Sequence, residues 1–180
     1  AKVDDLPFCK NDVQAVKEAL ISGLNVSEDK IITCGQSGVV TIDDLFVGLN
    51  TSISKTEKED TFIFYFSGHG GKNTLVLSNY SLNLQSLIDR IERISAKNKV
   101  IILDSCHSGD FVINDRQPLD LTEMIETFVG HGYAVLASCG AEEKSGFESK
   151  RQLSTYTSFL VDALTSRFLI REGKKSLESI

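Results

Sequence analysis

The chain contains no apolar run near the ~20 residues that a membrane-spanning helix requires, so a bilayer is not an expected partner. Its opening residues, A-K-V-D-D-L-P-F, lack the apolar stretch of a secretion signal. Cysteine is sparse: Cys9, Cys34, Cys106 and Cys139 lie far apart in 180 residues. A disulfide framework shows denser cysteine in a smaller chain, so the thiols read as reduced and the expected location is cytoplasmic. No basic stripe with interleaved aromatics occurs. Against 25 acidic side chains stand 19 basic ones, a net charge of −6, and nucleic acid is not an expected partner. Internal repeats and low-complexity stretches are also missing. What is present is an ordinary globular balance, 41% hydrophobic and 24% charged, enough for one domain with a sizeable core.

Apolar periodicity divides the chain into alternating helices and strands. Asn11 is placed to cap a first helix carrying Val13, Val16 and Leu20 on one face. Ile31 to Cys34 reads as a short strand. Thr41 and Asp44 form a capping-box pattern ahead of Leu45, Phe46, Leu49 and Ile53 at helical spacing. T-F-I-F-Y-F (61–66) is apolar without alternation, the pattern of a strand buried on both faces. Gly68, Gly70 and Gly71 are expected to break the chain after it. A small strand over 74–78 precedes a helix with Leu84, Leu87, Ile88, Ile91 and Ile94 inward. V-I-I-L-D (100–104) and Y-A-V-L-A-S (133–138) are two further buried strands. A polar loop over 111–118 and a short helix over 121–129 separate them. A polar loop with Lys144, Lys150 and Arg151 leads to a last helix with Tyr156, Phe159, Leu160, Ala163, Leu164 and Phe168 inward. This order predicts an α/β fold, a mainly parallel sheet with helices on both faces.

In such sheets ligands bind beyond the carboxyl ends of the strands. His69 follows one buried strand in Y-F-S-G-H-G (65–70), and Cys106 follows another in D-S-C-H-S-G (104–109). Parallel strand ends can bring a thiol and an imidazole together, the pairing that a cysteine nucleophile needs. Backbone N–H groups at glycine-rich turns can point at a developing oxyanion. Other chemistries lack their residues. Gly71-Lys72 is followed by Asn73 rather than the Ser or Thr of a phosphate loop. G-x-S-x-G is absent. Cys106 has no arginine in the loop after it to hold a phosphate. No C-x-x-C or H-x-x-x-H offers zinc ligands.

Y-F-S-G-H-G and D-S-C-H-S-G, in this order and each after an apolar strand, resemble the histidine and cysteine motifs of the caspase-like peptidases, and within them the metacaspases and their bacterial relatives. C-K-N-D (9–12), A-V-L-A-S-C (134–139) and Y-T-S-F-L-V-D-A-L (156–164) extend the resemblance over most of the chain. It implies a caspase-like three-layer α/β sandwich over residues 1–180. It implies Cys106 as nucleophile, His69 as acid/base, and the N–H groups of Gly70 and Cys106 as oxyanion hole. Cys9, Asp12, Ser67 and Asp104 match the pocket for the substrate residue before the scissile bond. Two carboxylates there suit a guanidinium or ammonium. The implied partner is thus a peptide or protein cleaved after Arg or Lys.

Three departures qualify the match. The stretch after the histidine motif, G-K-N-T-L-V-L-S-N-Y-S, has none of the aspartates with which many metacaspases bind calcium, so no cofactor or metal is expected, calcium included. The family's first strand would lie just before A-K-V-D-D-L-P-F. The closing S-L-E-S-I resembles the start of another helix. The expectation is a fragment of a longer parent, whose other domains are further candidate partners.

Plainer roles compete with these. A cysteine after a strand is commonly a small buried hydrophobe, and Cys9, Cys34 and Cys139 each read as structural, with Cys9 also a candidate for lining the pocket. His107 and His131 read as solvated or loop-stabilising. Asp12 would also favour a helix's first turn, and Asp104 could be a strand-end acceptor. Arg116, Lys144, Lys150 and Arg151 read as solvated charges that a basic-specific enzyme could cut in itself. The alternative function is an inactive caspase-like scaffold or zymogen fragment acting through protein–protein contacts.

Overall fold

A computed structural model describes residues 6–35, 37–71, 74–106, 133–138 and 147–166. Helix α1 (Phe8–Leu24) is followed by α2 (Ile42–Lys55), then strands β1 (Thr61–Gly71), β2 (Thr74–Val76) and β3 (Ser81–Asn83). Helix α3 (Leu84–Glu92), strands β4 (Asn98–Cys106) and β5 (Ala134–Ala137), the small strands β6 (Phe147–Glu148) and β7 (Leu153–Ser154), and helix α4 (Thr155–Thr165) complete the described order.

The main sheet runs β3-β2-β1-β4-β5. β1, β4 and β5 are parallel, and the short β2 and β3 add an antiparallel edge. The unbroken apolar runs of β1 and β4 follow from this position. Their alternate side chains feed two separate cores. Phe64, Phe66, Ile101 and Leu103 pack with Leu45 and Leu49 of α2 and Leu87, Ile88 and Ile91 of α3. Ile63, Tyr65, Val100 and Ile102 face the other way, onto Val16 and Ala19 of α1 and Leu160 and Leu164 of α4. The result is a three-layer α/β sandwich.

Local signals explain several boundaries. The Thr41 hydroxyl accepts from the Asp44 N–H while the Asp44 carboxylate accepts from the Thr41 N–H, the reciprocal box that the sequence predicts. α1 begins three residues before Asn11, because the φ of −63° at Pro7 already suits a helix start. Asn11 instead donates to the Gln152 carbonyl, tying α1 to the β6–β7 hairpin. That hairpin lies where the sequence predicts only a polar loop. Phe159, expected inward, is 70% exposed, since the buried stripe of α4 runs through Thr157, Leu160 and Leu164.

Two more expectations are corrected. Ile31–Cys34 forms no strand: among the described residues it joins no ladder. Gly68 and Gly70 do not break the chain, and β1 continues through them to Gly71. The Gly68 position is instead tight: a Cβ there would stand 2.7 Å from the Phe66 ring. The predicted loop 111–118 and helix 121–129, with Phe168, lie outside the described residues.

Candidate active site

The β1–β4 register carries the sheet past its apolar center into a polar end. Phe66 pairs with Leu103, then Ser67 with Asp104, Gly68 with Ser105 and His69 with Cys106. His69 and Cys106, far apart in sequence, therefore occupy directly opposed positions on strands separated by about 4.8 Å. Strand alternation gives Ser67 and His69, and on β4 Asp104 and position 106, the parity of Tyr65 and Ile102. That parity belongs to the face covered by α1 and α4.

On this face two carboxylates are fully enclosed. Asp12 of α1 is 0% exposed and Asp104 is 1% exposed. Asp12 accepts from the Ser67 hydroxyl at 2.7 Å and from the Ser154 N–H at 2.9 Å. Asp104 accepts through Oδ2 from the Ser154 hydroxyl and, at 2.7 Å, from the Thr157 hydroxyl. Ser154 thus bridges both acids, while its oxygen also caps α4 by accepting from the Thr157 N–H. With its proton committed to Asp104, the Thr157 hydroxyl accepts from Tyr65 at 2.5 Å.

The hydrogen bonds to both carboxylates come from hydroxyl groups and a main-chain N–H. Asp104 Oδ1 is buried and accepts from no described group. Burial pushes the Asp12 carboxyl up to about 6. The Ser154 N–H and the Ser67 hydroxyl act against that rise, and the Asp104 charge adds to it. Burial first, and the Asp104 charge second, also raise the Tyr156 phenol to about 12 and push the Tyr65 phenol well above its usual value. Two buried carboxylates and their hydroxyl donors thus define this end of the sheet.

A family model described as the caspase domain matches residues 1–179. The chain belongs to the caspase-domain family, a family of cysteine peptidases. No curated protein matches it. Within this caspase domain the fold draws together the expected pocket residues Asp12, Ser67 and Asp104. Cys9 sits one turn before Asp12 on α1 and is half-buried. Gly70 lies next to His69 at the end of β1, opposite Leu75 of β2. His107, His131, Cys139, Arg116 and Lys144 lie outside the described residues. Lys150 and Arg151 lie in the exposed turn between β6 and β7, where Arg151 is held by Asp162 at 2.8 Å and by the Ser158 hydroxyl. The helices of this caspase domain include none long and apolar enough to cross a membrane among the described residues.

Three residues of the acid cluster escape a reading of the sequence alone: Tyr65, Ser154 and Thr157. The signal available is the hydroxyl-rich S-T-Y-T-S (154–158). Its Ser and Thr look like routine helix-start chemistry, and only the packing of α4 against β4 turns them toward Asp104.

Proposed function

We propose that this caspase domain is a cysteine endopeptidase that cuts after Arg or Lys. The buried acid pair carries this reading, above all the orphan Oδ1 of Asp104, an acceptor that a substrate guanidinium or ammonium would satisfy. Asp12 and Asp104 would bind the basic side chain, with Ser67 and Cys9 completing the wall. Their closeness to the opposed positions 69 and 106 would set the adjoining carbonyl beside the nucleophile.

The Cys106 thiolate attacks that carbonyl carbon, and the N–H groups of Gly70 and Cys106 receive the oxyanion. As the C–N bond breaks, protonated His69 gives its proton to the departing amine. A water, deprotonated by His69, then attacks the thioester and releases the acid and the thiolate. None of these steps needs a metal, so the reaction is calcium-independent in this proposal, and the peptidase acts in the cytoplasm on a peptide or protein chain. The exposed turn holding Lys150 and Arg151 offers sites for self-cleavage.

The test is hydrolysis of fluorogenic peptides ending in Arg, Lys, Asp or Ala, by wild type, Cys106→Ala and His69→Ala, with and without a chelator. Cleavage after Arg and Lys, lost in both variants and unchanged by chelator, is expected. Cleavage after Asp would overturn the pocket assignment. No cleavage by folded wild type would favour a scaffold or zymogen.

A further inference from the structure

The hydroxyl groups around the acid pair are not equivalent. Ser67 donates directly to Asp12, and Ser154 directly to Asp104. Tyr65 makes its hydrogen bond one step further out. Its hydroxyl meets that of Thr157 at 2.5 Å, and Thr157 in turn donates to Asp104 Oδ2 at 2.7 Å.

The direction of this chain follows from its protons. A threonine hydroxyl carries a single proton, and a carboxylate can only accept. Thr157 gives its proton to Asp104, so Tyr65 must donate to Thr157. The phenol is held in the form that can do so. Burial first, then the charges of Asp104 and Asp12, raise it well above its usual value, and it keeps its proton throughout the neutral range. The Ser67 hydroxyl acts against that rise, as Thr157 does. Tyr65 therefore stands among the donors of both acids.

The other end of Tyr65 is fixed by packing. Its ring lies against the core that α1 and α4 build over the sheet, with Val16, Ala19, Leu160 and Leu164. A ring anchored there aims its hydroxyl at the first turn of α4 and fixes the rotor of Thr157. The consequence falls on Asp104. Ser154 and Thr157 both donate to Oδ2, and a carboxylate oxygen has about two acceptor positions. Oδ2 is thereby filled, and Oδ1 is the oxygen that accepts from no described group.

We propose that Tyr65 is a positioning residue of the basic-residue pocket: acting through Thr157, it fixes Asp104 so that Oδ1 is presented to the guanidinium or ammonium of the substrate. This rests on the pocket assignment made above. Tyr65 takes no part in bond breaking. On β1 it precedes His69, with roughly 13 Å of strand between their Cα positions. Its contribution is to binding, so its loss is read in KM rather than in kcat.

The test variant is Tyr65→Phe, which keeps the ring in the core and removes only the hydroxyl. kcat and KM are measured on fluorogenic peptides ending in Arg and in Lys, alongside Thr157→Ser, Thr157→Val and the double variant Tyr65→Phe/Thr157→Val. For Tyr65→Phe, KM is expected to rise about tenfold on both substrates, the scale of one hydrogen bond, while kcat changes less than about twofold. Thr157→Ser retains a hydroxyl and should keep KM within about threefold of wild type, whereas Thr157→Val should raise it about tenfold. In the Thr157→Val background, adding Tyr65→Phe should change KM less than about twofold, because the two hydroxyls act along one path. A merely structural Tyr65 would instead lower the active fraction, and with it kcat, at unchanged KM. An unchanged KM for Tyr65→Phe overturns the proposal. So does a full effect of Tyr65→Phe in the Thr157→Val background. Both results leave the pocket assignment standing, since wild type still cuts after Arg or Lys. A folded wild type that cuts after neither removes the pocket assignment and this inference together.

Discussion

Replacing Asp12 by Asn should make the protein more stable and at the same time less active. The Asp12 carboxyl is raised from 3.8 to about 6, chiefly by burial. A shift of that size corresponds to ~3 kcal/mol against the charged form in the folded state. The unfolded carboxyl loses its proton near 3.8 and the folded one near 6. Between these values the folded chain holds a proton that the unfolded chain has released. Stability therefore falls as pH rises through this window, and the full deficit is present above about pH 7. An Asn amide keeps the geometry: its oxygen can accept from the Ser154 N–H, and its nitrogen can donate to the Ser67 hydroxyl. Giving up hydrogen bonds to a charged group costs about 1 kcal/mol. The net gain near pH 7.5 is ~2 kcal/mol, or roughly 4–8 °C in Tm for a chain of this size. At pH 4, where Asp12 is largely protonated, most of the gain should vanish. Urea unfolding of wild type and variant at both pH values measures it. In parallel, kcat/KM on Arg and Lys substrates should fall roughly a hundredfold, the scale of losing one partner of a buried ionic contact. A variant no more stable than wild type at pH 7.5, or equally stabilised at both pH values, would refute the account of Asp12 as a carboxylate disfavoured by burial.

Other substitutions separate the structural devices. Ser154→Ala removes both the cap of α4 and a donor to Asp104, and should cost ~1–2 kcal/mol in urea unfolding; an unchanged midpoint would show that the bridging hydroxyl contributes nothing. Gly23→Ala should destabilise by ~1–3 kcal/mol despite alanine's better helix propensity, because the new Cβ would stand 2.1 Å from the Leu164 carbonyl oxygen and force α1 from α4. A stabilised variant would contradict that close approach. Leu160→Ala should cost ~2–5 kcal/mol and Phe159→Ser less than about 0.5 kcal/mol, since Leu160 is 4% exposed and Phe159 is 70% exposed. Equal losses would place the buried face of α4 elsewhere.

Much of this architecture is written locally. The unbroken apolar runs over 61–66 and 100–104 announce strands covered on both faces, since alternate side chains must both find a core. Thr41 and Asp44 lie within one helical turn, so their reciprocal capping can be read directly. Periodicity misled where two faces compete. Phe159 fits a helical apolar stripe by spacing, yet the face that packs on β4 runs through Thr157 and Leu160. Ile31–Cys34 has the composition of a strand, but a strand also needs a hydrogen-bonded neighbour, which composition does not supply.

The sequence by itself determined the types of the main helices and buried strands, the two motifs and the residues eligible for the site, because these depend on side-chain chemistry and on neighbours within a few positions. Only the tertiary structure decided the register that sets His69 opposite Cys106, and the enclosure of Asp12 and Asp104 around one serine. Ser154 stands 142 positions from Asp12 and 50 from Asp104. No local pattern encodes contacts over such separations. They arise when α1 and α4 pack on the same face of the sheet, and that packing strips the two carboxylates of water.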